Sequence, residues 1–173
     1  MKEQKSVKLY NMIFPIWLLI LFPLTWLIVI PANFLIDFLI VYFTMKKLSV
    51  EEPKQKFKKV ILKVVCFGFV ADIIGGFFMF LPNFIDYSVF TENTRLIYSN
   101  FVNAIMYNPF RSVYGLVWVF LCMLISSSAI YFLNFKFSFT KVDIERAVKM
   151  RISLLLAICT TPVLFLLPTQ WFY

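Results

Sequence analysis

The sequence predicts an all-α, polytopic bundle of membrane-spanning helices, and three observations carry that prediction. Several apolar runs reach the ~20 residues needed to cross a bilayer. The 173-residue chain is 61% hydrophobic, above the roughly 45–50% of a soluble domain, and its mean hydropathy is +0.83. Its cations collect in short segments beside the apolar runs, the pattern of topology signals. The net charge of +8 is therefore read as orientation in a lipid bilayer, and no nucleic-acid partner is expected.

Charge then orders the spans. Lys2, Lys5 and Lys8 make the N-terminal tail basic, and Lys46–Lys63 and Lys136–Arg151 form two further basic segments. Between them the segment from Asn83 to Arg111 is near neutral, and no charged side chain follows Arg151. The positive-inside rule places the three basic segments in the cytoplasm. Five spans satisfy this, at about 10–30, 32–48, 60–81, 113–134 and 152–171, with cytoplasmic loops 46–63 and 134–151 and an outer segment 83–111. The N-terminus is then cytoplasmic and the C-terminus outside, in the cell membrane. The first apolar run is too long for a signal peptide and lacks an A-x-A site, so it reads as a retained span.

The first two spans are expected as a helical hairpin. Met12 to Thr44 contains one charge, Asp37, and as a single helix it would be about 50 Å long against a ~30 Å hydrocarbon core. Pro31 cannot donate its N–H, and Asn33 is a good cap for a following helix. A turn at Pro31-Ala32-Asn33 follows, with Pro15 and Pro23 kinking the first span. A re-entrant helix over 32–48 is the alternative.

Two extramembrane elements are expected to be helical. In RLIYSNFVNAIMYNPF, the residues Ile97, Phe101, Val102, Ile105 and Met106 share a face, which predicts an outer amphipathic helix lying in the interface. DIERAVKM, from Asp143 to Met150, is expected to run into the last span as one long helix. Trp171, Phe172 and Tyr173 read as an interfacial anchor.

Much chemistry is absent from the sequence itself. There is no histidine, which removes His-based triads and HExxH zinc sites. Cys66, Cys122 and Cys159 are scattered through apolar spans and make no CxxC pair. Neither Walker A nor GxGxxG occurs. No metal and no cofactor are expected, and active transport would need an ion gradient or a partner ATPase.

The candidate site is built on two carboxyl groups. Asp72, in FGFVADIIGG, lies deep in the third span, where a carboxylate costs roughly 2.5–3.5 kcal/mol on insertion scales. Asp37 is expected nearer the outer edge, five residues past Ala32. Gly68, Ala71, Gly75 and Gly76 are placed on the face of Asp72 as a helix-packing surface. Its expected polar partners are Asn33, Asp37, Ser126, Ser127, Ser128, Thr160 and Thr161. The bland reading is a protonated Asp72 that bonds a hydroxyl and only locks helices; the sharper one binds a cation, proton or polar solute.

The leading functional expectation is a transporter-type or membrane-complex subunit with a polar site around Asp72, working as a homo-oligomer or within a larger complex. The alternative is a structural or assembly protein without a ligand. A third is an intramembrane aspartyl hydrolase using Asp37 and Asp72. ADIIGG and PNFIDYS are superficially similar to the Asp-containing stretches of bacterial lipoprotein signal peptidases, small multi-span aspartyl enzymes. The ordered Asn- and Asp-containing blocks of that family are not reproduced, and the GxGD of presenilin-type and prepilin peptidases is absent. The stretch Lys54–Lys63 reads first as a topology determinant beside anionic lipid, and second as a docking site for an acidic cytoplasmic partner.

Overall fold

The structure is a computed structural model that describes residues 23–86 and 91–171. These contain the helices α1 (Pro23–Lys47), α2 (Pro53–Phe80), α3 (Glu92–Tyr107), α4 (Val113–Leu133) and α5 (Arg146–Cys159). No strand occurs among the described residues. Three stretches are long and apolar enough to cross a membrane: Pro53–Phe84, Val113–Ser138 and Arg146–Leu166.

The expected turn at Pro31-Ala32-Asn33 is not present. α1 passes unbroken from Pro23 to Lys47 with Pro31 inside it. The missing Pro31 N–H costs one i→i−4 bond, whereas a turn in apolar surroundings leaves several backbone groups unpaired. The expected spans 10–30 and 32–48 therefore meet in one helix over their described part; residues 1–22 lie outside the described residues.

The chain reverses later, and by a different device. Val50 N donates to the Met45 carbonyl and Ser49 N to that of Lys46, the paired bonds of a Schellman motif. Ser49 takes the left-handed backbone this motif needs, with φ 51°. Glu52, at φ 46°, then caps α2, and Pro53 occupies the first turn, where its lack of an N–H is harmless.

α2 starts earlier than the expected 60–81. Its first turns carry Lys54, Lys56, Lys58 and Lys59, and Lys63 Nζ donates to the Phe137 carbonyl at 3.2 Å and Thr140 Oγ1 at 3.1 Å. Because Lys63 meets the end of α4, about 15 Å of α2 projects beyond it, at 1.5 Å per residue. α4 agrees with the expected 113–134 and closes in a π turn, Asn134–Ser138. There Asn134 Nδ2 donates to the Ile130 carbonyl and Ser138 Oγ to Asn134 Oδ1, both side chains fully buried.

The expected single helix from Asp143 through the last span is divided. Asp143–Glu145 is not helical, α5 begins at Arg146, and it ends at Cys159. Thr160 and Thr161 hydroxyls bond back to the Leu156 and Ala157 carbonyls, and Pro162 has no N–H to continue the ladder. Short 3₁₀ turns follow at Val163–Leu166 and Thr169–Trp171.

α1 packs on α2, α2 on α4, α4 on α5, and α5 on α1, which closes a four-helix bundle. Both basic connections, α1–α2 and α4–α5, emerge at one end of it, here the basic end. The interior is divided into two apolar clusters. One, toward the basic end, joins Val41, Met45, Val60, Val64, Ala71, Ile130, Ile152 and Leu156. The other, toward the far end, joins Met79, Ile105, Val119, Cys122, Met123 and Phe165.

α3 covers the far end. Its buried face is Val102, Ala104 and Ile105, while Ile97, expected on that face, is exposed. Tyr98 donates to the Pro82 carbonyl, and Thr169 Oγ1 donates to that of Met106 at 3.1 Å. Ser112 caps α4 by accepting from Gly115 N at 3.3 Å. A Cβ on Gly115 would stand 2.7 Å from the Ala104 Cβ, so α3 and α4 touch only because residue 115 is glycine. Gly115→Val is expected to undock α3, costing about 1–3 kcal/mol of overpacking; faster trypsin cleavage at Arg95, with a lowered melting temperature, is the result to look for.

Candidate functional site

Asp72 and Ser126 meet where the two apolar clusters adjoin. On α2, Asp72 lies between Ala71 of one cluster and Met79 of the other; on α4, Ser126 lies between Ile130 and Met123. Ser126 Oγ donates to Asp72 Oδ1 at 3.2 Å. Ser126 is fully buried and Asp72 is 7% exposed, so the bond is shielded from water and from lipid.

The close approach depends on Gly75, one helical turn from Asp72 on the same face. A Cβ there would stand 2.9 Å from Ser126 Cβ and 2.9 Å from Phe165 Cε2. Ala71 is fully buried beside it. Gly68 and Gly76, placed with them by spacing, behave differently: a Cβ on either meets nothing within 4 Å. The packing face is thus Ala71 and Gly75.

Asp37 belongs to the same region. It is 5% exposed, on the α1 stripe Asn33, Asp37, Val41 and Met45 at spacings of four, and its neighbour Phe38 packs edge-on against Phe57 of α2. Its expected position five residues from a helix start does not hold: α1 begins at Pro23, fourteen residues before it, about 21 Å at the helical rise. Asn33 is half-buried one turn away.

The three consecutive serines are separated by the 100° step of the helix. Ser126 turns to α2, Ser127 Oγ donates to the Ala157 carbonyl of α5 at 2.7 Å, and Ser128 is exposed. Thr161 Oγ1, whose proton goes to the Ala157 carbonyl, lies 3.4 Å from Ser127 Oγ, and Thr160 Oγ1 donates to the Leu156 carbonyl at 2.7 Å. Of the expected polar partners, Ser126 is brought to Asp72, and Asp37 is buried on α1. Ser127, Thr160 and Thr161 instead finish the C-terminus of α5.

Comparison with known proteins adds no relative. No family model, curated protein or solved structure matches this chain. The site is therefore read from its own geometry.

Two residues of the interior were not singled out by the sequence. Phe165, fully buried, reaches the site from the segment after Pro162, and nothing in an apolar run marks one phenylalanine among many. Ser153 is fully buried, and its Oγ has no hydrogen-bond partner among the described residues. Its spacing of eight from Thr161, through Ala157, is the signal that could have found it. Among the described residues, no group of three or more acidic or cysteine side chains is arranged to hold a metal ion.

Proposed function

We propose that this chain is a small multi-pass protein of the cell membrane, a transporter-type or membrane-complex subunit, whose Asp37–Asp72–Ser126 site takes up a cation, the proton included. In this reading α1, α2, α4 and α5 cross the bilayer, the basic end faces the cytoplasm, and α3 lies at the outer interface. At 25 residues, α1 is about 37 Å long, enough to cross a ~30 Å core. Exposed Lys54, Lys58 and Lys59 then meet anionic headgroups or an acidic partner, while Lys63 serves the chain's own α4–α5 connection. With only short connections between its described helices, the protein works as an oligomer or inside a larger complex.

The observation that carries the reading is the second buried carboxyl. A hydroxyl bonded to Asp72 is enough to lock α2 to α4. Asp37 is a further carboxyl in the same apolar interior, 5% exposed, which that lock does not require. A bound cation offsets the cost of holding a carboxylate there, and the apolar enclosure makes the gain large.

The rival reading, a helix lock with no ligand, is favoured by the Ser126–Asp72 bond itself. Asp72→Asn separates the two, because an amide oxygen still accepts from Ser126 while the titratable group is gone. Purified protein on a solid-supported membrane should show charge displacement after jumps of proton or sodium concentration. Asp72→Asn should abolish it while leaving abundance and oligomeric state unchanged. No displacement in either protein would leave the helix lock as the better account.

A further inference from the structure

We infer that the ligand exchanged at Asp72 is a proton and that Phe165 is the gate between this site and the far end of the bundle. The inference rests on the cation-site reading above and names its ligand and its outer access.

The oxygens gathered at the site favour the proton. Ser126 Oγ and the Asp72 carboxyl are set where two apolar clusters adjoin. A proton needs one oxygen to hold it and a second to accept its hydrogen bond. A hard metal cation takes about six or more oxygen ligands, which one carboxyl and one hydroxyl do not supply. Asp37, Asp72 and Cys122 are the only buried side chains that titrate among the described residues. Asp37 is buried on α1, and Cys122 lies one turn from Ser126 on α4; α5 and the segment after it bring hydroxyls and apolar groups only.

The gate follows from how Phe165 is held. Its ring lies against Gly75, within the space a methyl group would need, and closes the far side of the Asp72–Ser126 bond. Its backbone belongs to no long helix. α5 has already ended at Cys159, and Phe165 N bonds only to the Pro162 carbonyl, at 3.1 Å, in a short 3₁₀ turn. Such turns are held by few bonds of poorer geometry than an α-helix. The segment is fixed at its two ends, by Thr161 on α5 and by Thr169 on the Met106 carbonyl of α3. It can swing as a strap between those ties without breaking the four-helix bundle, and α3 is placed to pull on it.

The test is proton entry into vesicles that hold a pH-sensitive dye, driven by a potassium diffusion potential. The intact protein should conduct slowly. Phe165→Ala should raise the rate at least tenfold, Phe165→Leu by less, and Asp72→Asn added to Phe165→Ala should return it to the starting rate. Equal rates with and without the Phe165 substitutions would overturn the gate, and a fast double variant would show a leak that does not use Asp72. On the unmodified protein, a carbodiimide that attacks protonated carboxyls should modify Asp72 equally with and without sodium. Protection by sodium would overturn the proton and leave a metal cation in its place. The two readings fail separately: charge displacement that depends on Asp72, with no effect of Phe165, keeps the cation site and removes the gate.

Discussion

Gly75→Leu is expected to break the α2–α4 seam, whereas the same substitution at Gly68 or Gly76 is expected to be nearly silent. At position 75 the first added carbon already meets Ser126 Cβ and the Phe165 ring at 2.9 Å. Ser126 Cβ is bonded directly to the α4 backbone and cannot swing aside, so relief requires the helices to part. Overpacking of this kind costs about 1–3 kcal/mol, and here it also pulls Ser126 from Asp72, leaving a buried carboxyl with one partner fewer. A cysteine pair, Asp72→Cys with Ser126→Cys, at the positions whose side chains meet, gives a second readout: oxidative cross-linking should fall sharply on adding Gly75→Leu and persist with Gly68→Leu or Gly76→Leu, where a Cβ meets nothing within 4 Å. Equal loss of melting temperature at all three glycines would mean that α2 tolerates no bulk anywhere, and that the seam at Gly75 is not special.

Those glycines also show how far the site was legible in the sequence. Spacing put four small residues near Asp72, because helical periodicity fixes which residues share a side of α2. It cannot say which sector of that side meets a neighbour. The serines repeat the lesson: three hydroxyls in a row must point in three directions, yet only the packed bundle assigns Ser126 to Asp72 and Ser127 to Ala157. α2 and α4 themselves were legible because each is an apolar run bounded by charge or by a cap such as Ser112.

The α1 reversal was misplaced for a thermodynamic reason. Pro31 and Asn33 are strong signals in water, where backbone groups freed by a turn are solvated. In an apolar setting those groups have nowhere to go, and a helix with one missing bond is the cheaper solution. The true reversal at Ser49–Glu52 uses left-handed backbone at residues other than glycine, so it lacks the glycine by which such motifs are recognised. The break after Cys159 was half visible. Pro162 lacks the N–H to continue the ladder, and the two threonine hydroxyls before it bond back to carbonyls and make this an end.

Single-cysteine labelling should divide the chain into three classes, and this outcome is all-or-none. With Cys66, Cys122 and Cys159 replaced, Ser49→Cys and Thr140→Cys should react with an impermeant maleimide from one side of the membrane, because both connections leave the bundle at its basic end. Asn93→Cys, on an exposed position of α3, should react only from the other side. Ala32→Cys should react from neither. It lies nine residues into α1, about 13 Å along at the helical rise, and faces away from the bundle, where hydrocarbon holds the thiol protonated and unreactive. A hairpin turning at Ala32 predicts the reverse, with 32 labelled alongside 93. That result would move Asp37 to within two helical turns of the outer surface, where water rather than an apolar interior would set its chemistry. An unreactive Ala32→Cys instead keeps Asp37 in the bundle interior, and with it the second buried carboxyl on which the proposed cation uptake rests.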